Sequence, residues 1–150
     1  MGIFNDTAPI VEDDIEGILN FIDYAFPYTS FTAEKIKEKV HSKNFYLVKH
    51  LQGNIITGFI ELEFFSEKNE ARLNAVFVEE TWRGQHIATK LIKQVIHECK
   101  RRRVHRLFLL VSESNDGAKE LYKKTGFAFE GMHDKIIEAE KVEVWSMKIS

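Results

Sequence analysis

The sequence predicts a single α/β (α+β) domain built on a mixed sheet of about seven strands with four helices. Residues 45–78 hold three strand-like runs joined by short polar turns, a pattern typical of an antiparallel meander. A helical repeat of apolar residues follows from Gly84 to about Arg102. The run Leu107–Val111 after it is apolar throughout, which suits a strand covered on both faces and parallel to its neighbour.

The predicted elements have recognisable local signals. Acidic residues after Pro9 favour a helix start, Pro27 ends that helix, and Thr32 is a suitable N-cap for the next one. Gly53 marks a hairpin turn, and Gly126 closes the last helix. The predicted order is a strand at Ile3–Thr7, helices near 12–26 and from Thr32, strands at Phe45–Lys49, Ile55–Phe65 and Ala71–Val78, a helix from Gly84, a strand at Leu107–Val111, a helix at Asn115–Lys124, and strands at Phe127–Met132 and Val142–Ile149.

Composition limits the class of protein. A chain of 150 residues with 44% apolar and 29% charged residues is expected to form one domain, residues 1–150. The formal net charge of −2 does not favour nucleic acid or an anionic membrane as a partner. One cysteine, Cys99, excludes an internal disulfide, and with no signal-like start it predicts a cytoplasmic protein. No metal-ligand spacing is present, so we expect no metal. No apolar run approaches the roughly 20 residues needed to cross a bilayer, so we expect no membrane span.

The sequence indicates a functional site in the turn between the strand that ends at Val78 and the helix that follows it. A strand followed by a glycine-containing turn and a helix exposes unpaired N–H groups at the positive end of the helix dipole. Such a turn binds phosphate. The sequence lacks both the Gly-x-x-x-x-Gly-Lys-Ser/Thr loop and the Gly-x-Gly-x-x-Gly fingerprint, so it predicts a phosphorylated ligand of another kind.

Two segments carry a family resemblance. Arg83-Gly84-Gln85-His86-Ile87-Ala88 resembles the Arg/Gln-x-x-Gly-x-Gly/Ala signature of the GNAT superfamily of acetyl-CoA-dependent N-acetyltransferases, with His86 at a position usually held by glycine. Asn115-x-x-Ala118-x-x-Leu121-Tyr122-x-x-x-Gly126-Phe127 is similar to a second family segment at every named position. The order of predicted elements also matches that family, so the resemblance covers most of the chain.

The resemblance implies acetyl-CoA as cofactor and assigns residues to it. Backbone N–H groups of the turn would hold the pyrophosphate, and the strand end would bond the pantetheine arm. Tyr122 would act as general acid toward the departing thiolate, because a phenol donates a proton or a hydrogen bond. Asn115 is either a cofactor contact or simply an N-cap, and His86 either a contact or a tolerated surface residue. A negative φ at His86 would leave the turn intact. The implied cofactor-binding residues are Phe77, Val78, Arg83, Gly84, Gln85, His86, Ile87, Ala88, Thr89, Asn115 and Tyr122.

The general base is not assigned by the sequence. Neutralising a lysine-like amine at pH 7 costs about 4.6 kcal/mol, so the reaction needs a proton acceptor. The two positions at which relatives carry a glutamate are Arg72 and Leu110 here. Glu61, Glu63, Glu70 or a chain of water molecules are the candidates.

The acceptor is expected to be a primary amine of a small molecule or peptide. By family analogy, its site lies near residues 26–31, the third strand and the last hairpin, with Tyr28, Phe31, Glu61 and Glu63 as substrate candidates and Phe64 and Phe65 as further lining. The alternatives are a protein N-terminal or lysine acetyltransferase and a catalytically weak acyl-CoA sensor of the same fold. Either a monomer or a homodimer fits the sequence. The basic run Lys100–Arg103 is interpreted as a helix C-terminus that complements the dipole.

Overall fold

The fold was examined in a computed structural model that describes residues 4–25, 32–137 and 139–149. Seven strands and four helices lie within these residues, as the sequence predicts. In chain order they are β1 (Thr7–Pro9), α1 (Ile15–Ala25), α2 (Ala33–His41), β2 (Phe45–Gln52), β3 (Ile55–Phe65), β4 (Glu70–Val78), α3 (Ile87–Arg101), β5 (Arg106–Ser112), α4 (Asp116–Thr125), β6 (Ala128–Ile137) and β7 (Glu140–Lys148).

All seven strands form one mixed sheet in the order β1-β2-β3-β4-β5-β7-β6. Strands β4 and β5 pair in parallel, and the other neighbours pair antiparallel. Because α3 connects the two parallel strands, the predicted meander and the predicted β-helix-β crossover are both confirmed.

Helices cover the two faces of the sheet unequally. On one face, α3 buries a stripe that includes Leu91, Ile92 and Val95 against strand residues such as Leu62 and Leu107. This stripe is the main core, where truncation of one leucine to alanine typically costs about 2–5 kcal/mol. On the other face, α1 and α2 form a second core over β2 and the ends of β3 and β4, with Ile10, Ile15, Ile18, Ile36, Leu47, Phe59 and Phe77.

Strand β5 corrects one expectation. Its burial alternates, with Leu107, Leu109 and Val111 buried and Phe108 and Leu110 only partly covered. The apolar run therefore lies between a helix-covered face and a face that no described helix covers at this strand. We call the part of this second surface that runs from the edge of α2 to β5 the open face; its residues are Glu61, which α2 covers, and Glu63, Arg72, Asn74, Phe108 and Leu110.

Two element boundaries also differ from prediction. The first strand is Thr7–Pro9 rather than Ile3–Thr7, and Pro9 ends it instead of starting a helix. Helix α3 begins at Ile87 rather than Gly84, because Gly84 and His86 have φ values of +83° and +62° that a helix does not allow.

Gly58 allows β3 and β4 to approach closely. A Cβ atom at this position would lie 2.6 Å from the Phe77 carbonyl oxygen, so only glycine fits. The ladder between β2 and β3 shifts register beside it, between His50 and Leu51. The predicted bulge or close approach at Gly58 is therefore confirmed.

In the C-terminal turn of α3, the Glu98 carboxylate is paired with two arginines of the same turn. Glu98 accepts hydrogen bonds from Arg101 at 2.6 Å and from Arg102 at 2.8 Å. Two of the four cations in the run Lys100–Arg103 are therefore paired within the helix end. Beside them the Cys99 side chain is fully buried. This burial, together with the smaller effect of the nearby Glu98 charge, raises the pKa of its thiol to about 12.

None of the helices described here is long and apolar enough to cross a membrane.

Candidate active site

A wedge opens in the sheet because β4 and β5 separate halfway along. They pair only from Glu70 and Arg106 to Leu73 and Leu109. Beyond Leu73, β5 continues alongside β7, while β4 runs on to Val78 with no strand of the described residues paired on that side. The N–H and C=O groups on this edge of β4 are thus free of sheet pairing and suit an extended ligand with amide groups.

A groove of about 760 Å³ occupies this wedge and runs between the turn before α3 and one face of α4. It is lined by Val76, Phe77, Val78, Trp82, Arg83, Gly84, His86, Ile87, Ala88, Thr89, Gly117, Ala118, Glu120, Leu121 and Lys124. Eight of the eleven implied cofactor residues line it, and Gln85, Asn115 and Tyr122 do not. The α4 face of the groove was not predicted, although its residues Gly117, Glu120, Leu121 and Lys124 follow helical spacing.

The N-terminus of α3 differs from those of the other helices. No side chain caps it, and its first turn carries no acidic residue. The first turns of α1, α2 and α4 hold Glu16, Glu34 and Asp116. Since the first N–H groups of a helix have no intrahelical acceptor, α3 presents unneutralised positive partial charge to the groove. An anion such as a phosphate group fits this end.

His86 adopts a backbone conformation that glycine would adopt more readily. Its φ of +62° and ψ of +22° lie in the left-handed region, so the expectation of a negative φ at this position was wrong. Left-handed backbone costs an ordinary residue about 1 kcal/mol, although histidine tolerates it better than most. The turn keeps its shape with this side chain, and the exposed imidazole lies at the groove.

Arg83 holds the turn against the strand that precedes it. Its Nε donates to the Val78 carbonyl oxygen at 3.0 Å, and its guanidinium lies 6.0 Å from the centre of the Phe77 ring. Lys124 reaches the same groove from α4. These two cations add to the dipole of α3, whereas Glu120 of α4 brings one negative charge to the same groove.

Tyr122 packs on the inner side of α4, with its ring centre 5.8 Å from that of Phe127 in an edge-to-face contact. Burial raises the pKa of its phenol to about 12, so the hydroxyl is protonated at neutral pH. Within the described residues no hydrogen bond engages this hydroxyl. A phenol this weakly acidic is better suited to donating a hydrogen bond to a thiolate than to giving up its proton completely.

Asn115 is the N-cap of α4. Its Oδ1 accepts a hydrogen bond from the Ala118 N–H at 3.2 Å, the capping interaction that the sequence left open. With this oxygen engaged and the residue outside the groove lining, the structure gives Asn115 a structural role.

A bulge places a polar cluster on the open face, where β4 and β5 separate. The register between β3 and β4 shifts so that Asn74 is inserted between Leu73 and Ala75, the partners of Leu62 and Glu61. Its Nδ2 donates to Glu61 at 2.8 Å and to Glu63 at 3.0 Å. Bulges of this kind redirect side chains beside active sites.

Each carboxylate of the cluster also has a basic partner. Lys39 lies 3.0 Å from Glu61, which is only 3% exposed, and Arg72 donates to Glu63 at 2.9 Å. The charges on these two carboxylates, both predicted as base and substrate candidates, are therefore balanced locally. Glu70 is likewise 3.4 Å from a guanidinium nitrogen of Arg106.

The aromatic candidates for the acceptor site have different positions. Phe65 stacks on Phe108 at 6.1 Å, which brings it to the open face. Phe64 points to the opposite side and is buried in the α3 core, so its expected place in the acceptor site was wrong. Tyr28 and Phe31 lie outside the described residues.

Comparisons with known proteins agree with this geometry. The model of the acetyltransferase (GNAT) family matches residues 13–127. An uncharacterized N-acetyltransferase of Methanocaldococcus jannaschii is 40% identical over 62 residues, a match that spans 41% of this chain and 27% of that protein.

Solved structures share the fold at low sequence identity. The ribosomal-protein-S18-alanine N-acetyltransferase of Escherichia coli superposes with a TM-score of 0.81 at 18% identity, covering 96% of this chain and 93% of that one. The PaiA N-acetyltransferase of Thermoplasma acidophilum, solved in complex with coenzyme A, gives 0.77 at 15% identity, with 92% and 96% covered. Because the family model extends over most of the chain, this protein belongs to the GNAT family of acetyltransferases, whose acyl donor is acetyl-CoA.

Proposed function

We propose that this protein transfers the acetyl group of acetyl-CoA to a primary amine of a small molecule or peptide. The observation that carries the proposal is the uncapped N-terminus of α3, which opens into a groove long enough for an extended ligand. The pyrophosphate would bind at Gly84–Thr89, and the pantetheine arm would lie along the unpaired edge of β4. Membership of the acetyltransferase family supports the assignment of both ligand and reaction.

Tyr122 is proposed to stabilise the departing thiolate. Its protonated phenol donates to the sulfur as the carbon–sulfur bond breaks, and burial keeps that phenol neutral across the physiological range. Further support is that no described residue engages the hydroxyl.

Two measurements test the proposal. Calorimetry with coenzyme A should give one site per chain. Release of free thiol from acetyl-CoA should accelerate when amino acids, short peptides, polyamines or aminoglycosides are added. Absence of any binding at millimolar coenzyme A would overturn the whole proposal.

A second function, an acyl-CoA-binding sensor of the same fold, is favoured by one observation. Neither Arg72 nor Leu110 supplies a carboxylate at the positions where the resemblance leads one to expect a base. A sensor would bind coenzyme A in the calorimeter and yet show no acceptor-dependent thiol release with the full amine panel. The two assays together therefore separate the two functions.

A further inference from the structure

We infer that Glu63 is the group that binds the acceptor amine and takes up its proton. This inference rests on the proposed function and assigns the open face a part in the same reaction. It depends on which carboxylate of the polar cluster has an oxygen left for a ligand.

Glu61 has three of its roughly four acceptor positions occupied, and its side chain is almost completely buried. Both of its oxygens accept from the Lys39 ammonium, at 3.0 and 3.2 Å, and one also accepts from Asn74. The side chain is buried beneath α2, and its charge is balanced by Lys39. It therefore holds Asn74 in place and does not face a substrate.

Glu63 has a different arrangement of partners. Only its Oε1 is engaged, by Arg72 at 2.9 Å and by Asn74 at 3.0 Å. Its Oε2 has no hydrogen-bond partner within residues 4–25, 32–137 and 139–149, and its side chain is 23% exposed. Two donors on one oxygen fix the carboxylate and leave the other oxygen directed at accessible space.

The remaining carboxylates on the open face are engaged or distant from the wedge. Glu130 accepts from Arg106 and from Ser146. Glu70 lies at the start of β4, at the far end of the segment paired with β5, and is close to Arg106. Glu63 pairs with Arg72, next to the point after Leu73 where the two strands separate.

The reaction balances with this assignment. The ammonium group of the acceptor binds at Oε2 of Glu63 and gives it one proton. The amine nitrogen then forms a bond to the thioester carbon as the carbon–sulfur bond breaks. The thiolate leaves with a hydrogen bond from Tyr122 and takes the proton that the nitrogen releases on acetylation, directly or through solvent.

The test is Glu63→Gln, compared with Glu67→Gln as a matched control on an exposed turn outside the cluster. At pH 7 the first variant should lose at least about 100-fold in kcat/KM toward amines, within the range for general acid–base groups. Its affinity for coenzyme A in the calorimeter should stay within about twofold of wild type. The control should keep full activity.

The pH profile separates catalysis from structure. In the wild-type enzyme the bound ammonium group gives its proton to Glu63, so kcat/KM should be nearly constant from pH 7 to 9. Glu63→Gln depends on amine that is already neutral in solution, so its rate should rise about tenfold per pH unit. Glu63→Asp keeps the negative charge and should therefore be more active than Glu63→Gln. Circular dichroism should show that Glu63→Gln, Glu63→Asp and Glu67→Gln are all folded.

Two results would overturn the assignment. If Glu63→Gln kept kcat/KM within about threefold of wild type, Glu63 would not be the proton acceptor and the acetyltransferase function would stand. If wild-type protein bound coenzyme A and acetylated no amine, the proposed reaction and the role of Glu63 would both be wrong.

Discussion

The groove and the open face are specified by different parts of the chain. The groove depends on backbone: the first turn of α3, the unpaired edge of β4 and positive φ at Gly84 and His86. The open face depends on side chains of α2, β3 and β4 that meet through strand register and one bulge. A site built from backbone should tolerate side-chain change as long as the backbone keeps its path, whereas a site built from side chains should change with single residues.

The largest effect should come from Tyr122, the proposed donor to the departing thiolate. Tyr122→Phe removes the donor to the thiolate and keeps the contact with Phe127, so kcat should fall about 10²- to 10³-fold, equivalent to about 3–4 kcal/mol. Affinity for coenzyme A should not change in calorimetry. The raised pKa of the phenol, about 12, also predicts no loss of wild-type rate from this group as pH rises to 10.

A matched control for this variant is Phe127→Leu, which disturbs the same contact and leaves the hydroxyl in place. It should lower stability with little effect on kcat. If Tyr122→Phe kept more than a third of wild-type kcat, the phenol would not be the group that assists the thiolate.

The next effect should be one of stability, on the open face. Lys39→Met leaves the buried Glu61 carboxylate with Asn74 as its remaining described partner, which should lower the free energy of unfolding by about 2–3 kcal/mol in urea denaturation. The control is Lys37→Met, because Lys37 forms a long, exposed contact with Glu12 that should contribute nothing measurable. Equal losses in the two variants would mean that Glu61 is hydrated and does not depend on Lys39.

The difference between the two regions explains what the sequence could predict. One wall of the groove, within residues 76–89, comes from a single stretch of chain, so the order strand, turn, helix indicated it directly. The α4 wall comes from a distant segment and was not indicated in this way. The positive φ at His86 does not follow from histidine itself, but the glycine that the resemblance implies at this position was a signal for it, because glycine adopts positive φ most readily. The cluster around Asn74 was also hidden, because a one-residue shift of register decides whether it faces Glu61 and Glu63.

A smaller loss should follow from filling the space at Gly58. Gly58→Ala places a methyl group 2.6 Å from the Phe77 carbonyl oxygen, so β3 or β4 must shift, at a cost of about 2 kcal/mol. Because Phe77 lines the groove, affinity for coenzyme A should fall as well. Gly131→Ala, with no atom within 4 Å of the added group, is the control and should leave thermal stability unchanged. Wild-type affinity in Gly58→Ala would show that the edge of β4 is not part of the binding site.

The smallest effect concerns His86. Glycine at this position relieves the left-handed backbone, so His86→Gly should raise stability by about 1 kcal/mol at most, or about 2–4 °C in Tm. His86→Ala retains the backbone cost and removes the imidazole, so it should be less stable than the glycine variant. Equal Tm values for the two variants would show that the positive φ does not lower stability. A difference in coenzyme A affinity between His86→Ala and wild type would measure how much the imidazole contributes to binding.

The rate at which the buried Cys99 thiol is labelled can report how often α3 opens. A thiol reagent can modify Cys99 only when the helix opens, because the side chain is fully covered and its pKa is raised to about 12. The same reagent would therefore count coenzyme A released during turnover without a background from folded protein. In the absence of turnover, slower labelling of Cys99 on addition of coenzyme A would measure how strongly occupation of one end of α3 stabilises the other.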